Sequence, residues 1–191
     1  MTKKAIVLLS GGLDSSVTAY IAHHHGYDLI ALSFLYGQQH DKEIELAKKI
    51  AKSLHIKQHS FFPLDLSQFG GSSLLKNTDQ SISTNEDISE IGSKIPNTYV
   101  PARNTIFLSI ALGFAETQNA DAIYTGVTAT DYSGYPDCRP EFINAFQHVV
   151  NLATKKTVTG QQISIETPLI HLSKADIIRK GKQLSVPFEL T

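Results

Sequence analysis

The sequence predicts an α/β protein in which a parallel β-sheet is covered by helices on both faces. Short apolar runs alternate along the chain with longer amphipathic or apolar segments, the pattern of repeated strand–helix units. The run at 29–35 is almost continuously apolar, as expected of a strand buried on both faces. With 191 residues, 41% of them hydrophobic, the chain can bury one substantial core. We therefore expect a single domain over residues 1–191.

The predicted strands and helices alternate from the first residues onward. Strands are expected at 5–9, 29–35, 58–62, 122–127 and 163–166. Helices are expected from the glycine-rich turn at 10–12 to Gly26 and at 41–54, 105–118, 140–153 and 174–184. Residues 66–98 are rich in Ser, Asn, Gly and Asp and show little periodicity. Such a segment in a compact domain is usually functional or disordered.

Local signals support the predicted helices. In the 41–54 segment the apolar residues at 44, 47, 50, 51 and 54 share one helix face. Gly26 is suited to end the first helix, and Pro140 to open a later one. The segment 105–118 is apolar nearly all round, which predicts a buried helix.

Composition excludes several classes of protein. The formal net charge is −1, from 17 basic and 18 acidic residues, so no global field attracts nucleic acid or an anionic membrane. One cysteine excludes an internal disulfide and favours a reducing cytoplasm. The apolar run after Lys4 is too short for a signal peptide, and the run at 106–115 is about half a membrane span. We expect a soluble cytoplasmic protein.

The most informative segment is Ser10-Gly11-Gly12-Leu13-Asp14-Ser15-Ser16, which connects the first strand to the first helix. Adjacent glycines let backbone N–H groups approach an anion closely, and the helix N-terminus adds further donors. Neither a Walker loop nor the Rossmann glycine spacing is present. The segment therefore predicts a phosphate site of another kind.

An acid inside this loop has a chemical consequence. The carboxylate of Asp14 would repel phosphate unless a cation lay between them, and Mg²⁺ is the natural choice. The arrangement resembles the PP-loop of ATP pyrophosphatases, which cleave ATP between the α and β phosphates. The alternative is an ordinary glycine turn capped by Ser15 or Asp14.

Three later segments also fall after predicted strands or open predicted helices. Tyr36-Gly37-Gln38, followed by Gln39 and His40, could close over an adenine or ribose, or serve as a strand-to-helix turn. Arg103 opens the apolar helix after Pro101, where its guanidinium suits a phosphate or carboxylate better than a surface ion pair. The segment 131–142 combines aromatic rings, acids, an arginine and Cys138, which suits a heterocycle pocket; a tight loop with solvated charges is the alternative.

With these segments in view, the chain resembles the 7-cyano-7-deazaguanine synthase family. The resemblance rests on residues 10–15, 36–38, 96–104 and 131–139. The first segment is shared across the PP-loop superfamily, whereas the last is distinctive of this family. The resemblance implies an adenine-nucleotide α-hydrolase-like, Rossmann-like fold. It also implies a homodimeric ATP-dependent ligase of queuosine biosynthesis that makes its nitrile from 7-carboxy-7-deazaguanine and ammonia.

The resemblance also implies roles for individual residues. ATP would be bound by Leu9, Ser10, Gly11, Gly12, Leu13, Asp14, Ser15, Ser16, Val17, Tyr36, Gly37 and Gln38. The deazapurine would be bound by Asp131, Tyr132, Ser133, Tyr135, Asp137 and Arg139. Catalysis would depend on Asp14 as the Mg²⁺ ligand, on Arg103 and on Lys174, which resembles the second phosphate lysine of the family. A surface lysine near Asp176 is the alternative for Lys174.

Two rival functions stay open at this stage. The chain could be another PP-loop enzyme, such as one that thiolates or amidates tRNA, although no basic appendage for tRNA is visible. It could also be a nucleotide-binding module without turnover. Release of pyrophosphate from ATP in the presence of the carboxy-deazaguanine and ammonia separates these hypotheses.

The sequence departs from the family at its carboxyl end. The family continues into a cysteine-rich segment whose four thiolates bind a structural Zn²⁺, and Cys138 alone cannot form such a site. We expect either that the chain is truncated, which we favour, or that this member lacks the site. Residues after about Leu184 are then expected to be poorly anchored.

The 191-residue polypeptide is expected to contain no stoichiometric thiolate-bound zinc, because it has one cysteine. Elemental analysis of a chelator-washed sample measures this. One zinc per chain that survives the wash would mean either that the protein extends beyond Thr191 or that His and Asp residues form a site of their own.

Overall fold

Five parallel strands form the centre of the computed structural model, which describes residues 2–36, 42–66, 99–129 and 135–191. The strands are Lys4–Leu8 (β1), Asp28–Leu35 (β2), Gln58–Pro63 (β3), Ala122–Tyr124 (β4) and Ser164–Glu166 (β5). The α-helices are Leu13–His24 (α1), Lys42–Ser53 (α2), Arg103–Thr117 (α3), Pro140–Ala153 (α4), Lys155–Val158 (α5) and Lys174–Gln183 (α6). Short 3₁₀ helices cover Pro136–Cys138 and Phe188–Leu190. The expected segment 66–98 lies, apart from Leu66, outside the described residues.

The order of strands places β1 at the centre of the sheet. The order is β3-β2-β1-β4-β5, and every neighbouring pair is parallel. The chain moves outward from β1 to β2 and β3, then returns to the other side for β4 and β5. Such a reversal opens a crevice at the carboxyl ends of the central strands, where ligands of parallel sheets gather.

Alternating side chains of the strands bury both faces of the sheet, as predicted. On one face Val7 and Ala31 pack against Ala19 of α1 and Ile50 of α2. On the other face Ile6 and Leu32 belong to a core that includes Leu108 of α3 and Phe146 of α4. Helix α6 packs outside α1, where Ile177 joins Val17 and Ile21. The parallel sheet with helices on both faces is thus confirmed.

Two predicted elements differ in detail from the structure. The strand expected at 122–127 ends at Tyr124, and residues 125–128 line a cavity. Helix α3 is not buried all round, because Ser109, Gly113 and Thr117 are exposed. Apolar composition alone therefore overestimated the burial of α3. The helix α5 was not predicted, since four residues carry no periodicity.

The expectation of a poorly anchored end after Leu184 was wrong. Val186 is buried beside Ile177, and its N–H donates to the carbonyl oxygen of Gly181 at 2.9 Å. A Cβ atom at Gly181 would lie 2.5 Å from a ring carbon of Phe188, so the ring packs directly on the helix backbone. Leu190 packs against the core beside α1 and α2. The apolar side chains of this segment therefore attach it to the helices by direct packing.

A buried lysine connects α5 to the turn between α3 and β4. The side chain of Lys156 is 7% exposed, and its Nζ donates to Asp121 Oδ1 at 3.0 Å. The same ammonium donates to the carbonyl oxygens of Ala120 at 2.7 Å and Asn119 at 3.3 Å. Removal of the ammonium takes this donor from the carbonyl oxygens of Asn119 and Ala120. The Asp121 carboxylate keeps a second donor, the backbone N–H of Lys4, at 3.0 Å. The contact lies at the amino end of β4, on the opposite side of the sheet from the crevice.

Replacing this lysine by methionine, Lys156→Met, is expected to lower the free energy of unfolding by roughly 2 kcal/mol, because the variant leaves buried acceptors unpaired. Urea unfolding followed by circular dichroism measures the difference. The exposed neighbour supplies the control, since Lys155→Met should change the midpoint little. Equal midpoints for the two variants would contradict the structural role of Lys156.

Candidate active site at the carboxyl ends of the strands

A cavity of about 490 Å³ opens at the carboxyl ends of β1, β2 and β4. Among the described residues, two cations and two carboxylates lie on its wall: Arg103, Lys174, Asp14 and Glu43. The rest of the wall is formed by Leu8, Leu9, Ser10, Ser15, Leu32, Ser33, Phe34, Tyr36, Ile44, Ala47, Asn104, Phe107, Thr125, Gly126, Val127, Thr128, Tyr135 and Cys138. Its size suits a small-molecule ligand, and its composition combines an apolar part with a few polar groups.

The loop between β1 and α1 forms part of the wall of this cavity. The Ser15 hydroxyl donates to the carbonyl oxygen of Gly12 at 3.0 Å and accepts from the Ser10 N–H at 3.2 Å; its oxygen lies 3.0 Å from the Ser10 hydroxyl. Gly12 precedes α1 and no side chain caps the helix. Uncapped N–H groups of a first helical turn, together with the helix dipole, favour an anion. The local geometry therefore suits phosphate, as the sequence predicted.

Gly11 is required by its contact with α2. Its φ is +89°, and a Cβ atom there would lie 2.3 Å from the carbonyl oxygen of Glu43 and 2.6 Å from the nitrogen of Ala47. Both atoms belong to backbone, which cannot move aside cheaply. The glycine thus lets the loop lie directly on α2, a tertiary reason for a residue that sequence alone attributes to anion binding.

Asp14 and Lys174 form an ion pair across the cavity. The Nζ of Lys174 lies 2.9 Å from Asp14 Oδ1 and 3.0 Å from Oδ2, with the side chains 51% and 31% exposed respectively. Asp176 forms a reciprocal cap with Ser173 at the start of α6 and pairs with Arg179. The partner of Lys174 is therefore Asp14, while its side chain stays half exposed to solvent.

Arg103 occupies the first position of α3 at the mouth of the cavity. Its guanidinium lies 5.8 Å from the centre of the Tyr36 ring and 6.0 Å from that of Phe107, and Phe107 stacks on Phe34 at 4.0 Å. Within the described ranges no carboxylate pairs with this guanidinium. Aromatic faces can hold the charge in place while leaving N–H donors for an anionic ligand.

A short hydrogen-bonded chain supports the end of β1. Ser33 of β2 donates its hydroxyl proton to the carbonyl oxygen of Leu9, so its oxygen accepts from His59 Nε2 at 2.8 Å. Burial lowers the pKa of His59 to about 4, and the Lys48 ammonium adds to the effect. His59 is therefore neutral near pH 7 and carries its proton on Nε2. These two hydrogen bonds connect β3, at the edge of the sheet, to Leu9 at the start of the glycine-rich loop.

Asp137 has a different position from the one that the substrate hypothesis requires. Its carboxylate is 4% exposed, and Oδ2 accepts from the N–H groups of Asn104 at 2.8 Å and Thr105 at 3.3 Å. The carboxylate thus binds the first turn of α3 and does not lie on the cavity wall. Arg139 is exposed, donates to the carbonyl oxygen of Pro136 at 3.2 Å and also lies off the wall.

Cys138 lies on the wall beside Arg103 but carries a proton. Burial raises the pKa of its thiol to about 11, and the neighbouring Asp137 carboxylate adds to the increase. Its sulfur accepts from Asn104 Nδ2 at 3.1 Å. A protonated thiol held by an amide is a packed wall group and not an activated nucleophile.

The structure brings together some of the residues predicted from sequence and separates others. Leu9, Ser10, Asp14, Ser15, Tyr36, Arg103, Tyr135 and Lys174 line the cavity. Leu13 and Val17 instead pack between α1 and α6, and Ser16 is buried with its hydroxyl bonded to the Gly12 carbonyl oxygen. Gly37, Gln38, Asp131, Tyr132 and Ser133 lie outside the described residues.

Sequence reasoning missed part of the wall. Ser33 and Phe34 of β2, Phe107 of α3 and residues 125–128 after β4 all line the cavity. The position of the strand ends was the available signal, because side chains at the carboxyl ends of adjacent parallel strands meet. Among the described helices, none is long and apolar enough to span a membrane.

The parallel sheet and its helices form a fold that is also found in solved structures of other proteins at low sequence identity. A 4-thiouridine synthetase–RNA complex with bound ATP has a TM-score of 0.57 at 20% identity, with 98% of this chain and 42% of that chain aligned. For the NMN synthetase of Francisella tularensis the TM-score is 0.53 at 20% identity, with 99% and 64% aligned.

Sequence comparison then gives the family. The model of the family described as "Queuosine biosynthesis protein QueC" matches residues 4–191, so the chain belongs to that family. The 7-cyano-7-deazaguanine synthase of Microcystis aeruginosa is 54% identical over 192 residues, which cover 98% of this chain and 80% of that protein. The synthase of Saccharophagus degradans is 52% identical, with 99% and 81% covered.

The thiol of Cys138 is expected to react slowly with iodoacetamide in the folded protein. A pKa of about 11, against an ordinary value of 9.0, leaves about 100-fold less thiolate at pH 8. Mass spectrometry of timed samples, with urea-unfolded protein as the control, measures the rate. Reaction of the folded protein at the unfolded rate would contradict the buried, protonated thiol.

Proposed function

We propose that this chain is an ATP-dependent carbon–nitrogen ligase that converts 7-carboxy-7-deazaguanine and ammonia to 7-cyano-7-deazaguanine in queuosine biosynthesis. The observation that carries the proposal is one cavity in which a phosphate loop, the Asp14–Lys174 pair and an arginine free of carboxylate partners among the described residues converge. Relatives that are 52% and 54% identical over nearly the whole chain bear the name of this synthase.

ATP is proposed to bind with its phosphates at the loop and its base toward the apolar wall. The uncapped backbone N–H groups of the first turn of α1 offer donors that a triphosphate requires, and the hydroxyls of Ser10 and Ser15, which bond within the loop, would turn toward the phosphates when these bind. The apolar part of the wall suits an adenine ring; it includes Phe34, near the carboxyl end of β2, and Ile44, in the first turn of α2. The proposed roles of Gly37 and Gln38 rest on the family resemblance.

The residues at the loop fit a Mg²⁺ ion that arrives with the nucleotide. Magnesium is usually held by one or two carboxylates together with substrate phosphates, and Asp14 offers such a carboxylate on the cavity wall. The described residues contain no group of three or more metal-ligating side chains that would hold an ion without the nucleotide. Magnesium would neutralise phosphate charge, and Lys174 would then be released from Asp14 to contact phosphate.

The chemistry requires two activations, because oxide is a poor leaving group from a carboxylate. The substrate carboxylate oxygen attacks the α-phosphorus of ATP, and pyrophosphate leaves from the loop. Ammonia adds to the acyl carbon and AMP leaves, which produces the amide after loss of a proton. The amide oxygen then attacks the α-phosphorus of a second ATP, and a second pyrophosphate leaves. Loss of AMP and of the two nitrogen-bound protons from this adenylated amide produces the nitrile. Lys174 and Arg103 are proposed to neutralise the charge that develops on phosphate.

The deazapurine is proposed to occupy the part of the cavity next to Arg103 and Tyr135. Tyr135 offers a ring for a planar heterocycle, and the Arg103 guanidinium suits the substrate carboxylate or its adenylate. Asp131, Tyr132 and Ser133 are proposed to complete this part on the basis of the resemblance. Asp137 enters the proposal as a positioning residue, since its carboxylate holds the helix that carries Arg103.

The proposal includes a cytoplasmic homodimer without nucleic acid as a partner. The single cysteine and the net charge of −1 support the location and the absence of a nucleic-acid surface. Val149 and Leu152 of α4 and Val158 of α5 are exposed apolar side chains that a second copy would cover. No step of the proposed chemistry depends on the Zn²⁺ of the family.

The wild-type chain is expected to release AMP and pyrophosphate over many turnovers only when ATP, the carboxy-deazaguanine and ammonia are all present, whereas a single equivalent of pyrophosphate can form without ammonia. Asp14→Ala and Lys174→Met should each lower kcat by about 100-fold, since one oriented charge is worth roughly 3 kcal/mol in a transition state. Chromatography of AMP and of the nitrile measures the rates. Ser10→Ala should cost less, because neighbouring backbone donors remain.

Lys182→Met is the matched control, since this exposed lysine lies in the same helix as Lys174 and away from the cavity. Its rate should equal that of the wild type. AMP release that does not depend on the carboxy-deazaguanine, or unchanged rates in both Asp14→Ala and Lys174→Met, would overturn the proposed function.

A further inference from the structure

The Asn104 side chain is held in one orientation at the wall of the cavity. Its Nδ2 donates to Asp137 Oδ1 at 3.3 Å and to Cys138 Sγ at 3.1 Å, which occupies both amide protons. Its Oδ1 has no hydrogen-bond partner among the described residues. The residue is half-buried and lines the cavity between Arg103 and Cys138.

The opposite orientation of this amide is unfavourable for an electrostatic reason. An ionised carboxylate only accepts hydrogen bonds, so a flipped amide would place its oxygen against the Asp137 oxygen. Asp137 cannot turn away, because it also accepts from the backbone N–H groups of Asn104 and Thr105. The network therefore determines which end of the amide is left for a ligand.

We propose that Asn104 is a specificity-determining residue whose Oδ1 accepts a hydrogen bond from an N–H group of the heterocyclic substrate. This inference rests on the proposed function and deepens it. A guanine-like ring carries a lactam N–H next to an exocyclic amine, and both groups need acceptors when water is excluded. Asp137 does not provide that acceptor, because its carboxylate binds α3 and lies off the cavity wall.

A site built around such an acceptor rejects heterocycles that lack the N–H group, because their binding costs free energy. A ring that lacks the N–H leaves Oδ1 desolvated and unpaired, which costs more than the hydrogen bond itself contributes. Cys138 acts in this scheme as a positioning residue, since its sulfur accepts the second amide proton and keeps Oδ1 toward the cavity. This role explains a buried, protonated thiol at the cavity wall without assigning it covalent chemistry.

The experiment compares two carboxylic acids as substrates. One is 7-carboxy-7-deazaguanine, and the other is the 7-deazapurine carboxylic acid that lacks both the lactam N–H and the exocyclic amine. The wild type should prefer the first by at least about 10-fold in kcat/KM, the loss expected for an unpaired acceptor. Asn104→Leu, which keeps the volume and removes the amide, should abolish most of that preference and leave the affinity for ATP unchanged.

The matched pair Cys138→Ser and Cys138→Ala tests the orientation of the amide. Serine keeps an acceptor at this position, so Cys138→Ser should retain the substrate preference. Alanine removes one of the two acceptors and leaves the amide held by Asp137 alone. Cys138→Ala should therefore lose part of the preference at unchanged ATP affinity. This pair also carries the test if Asn104→Leu fails to fold.

The outcomes separate this inference from the proposed function. A wild type that does not turn over 7-carboxy-7-deazaguanine contradicts the proposed function. A wild type that does so, with the same substrate preference in Asn104→Leu and Cys138→Ala, overturns only the role of Asn104. A higher KM for ammonia in Asn104→Leu, with the substrate preference unchanged, would likewise overturn the role of Asn104, because Oδ1 would then face the ammonia nucleophile.

Discussion

The ion pair between Asp14 and Lys174 joins α1 to α6 on the wall of the cavity. Its two residues are 160 positions apart in sequence, yet Nζ lies within 3.0 Å of both carboxylate oxygens. A carboxylate next to a phosphate loop needs a neutralising charge, and here α6 supplies one from within the protein. The same pair places the ammonium where nucleotide phosphates are proposed to bind, so one contact serves both folding and function.

Around the rest of the cavity, most of the groups that hold the loops and helices in place do not line the cavity themselves. Gly11 lies on the backbone of α2, and Asp137 binds the first turn of α3. Ser33 and His59 support the carbonyl oxygen of Leu9 from the edge of the sheet. Each contact limits the motion of a loop at a strand end, where binding groups must be held within a fraction of an ångström to be effective.

Electrostatics also explain the protonation states of Cys138, on the cavity wall, and of His59, in β3. Cys138 stays protonated because burial and the Asp137 carboxylate both oppose a second negative charge there. His59 stays neutral because burial and Lys48 oppose a positive one. Near pH 7 neither group therefore adds charge, and the balance is left to Arg103, Lys174, Asp14 and Glu43. Charge is thus concentrated where the nucleotide and the substrate carboxylate are proposed to lie.

The sequence by itself determined the succession of strands and helices, the parallel sheet and the phosphate loop, because periodicity, glycines and caps act over a few residues. The charge of Arg103 at the start of an apolar helix also pointed to a ligand site, and the family resemblance pointed to Lys174; both side chains line the cavity. Only the tertiary structure decided the partner of Lys174, the helix-binding position of Asp137 and the orientation of Asn104. These depend on contacts between residues 33 to 160 positions apart, which packing brings together and local pattern does not encode.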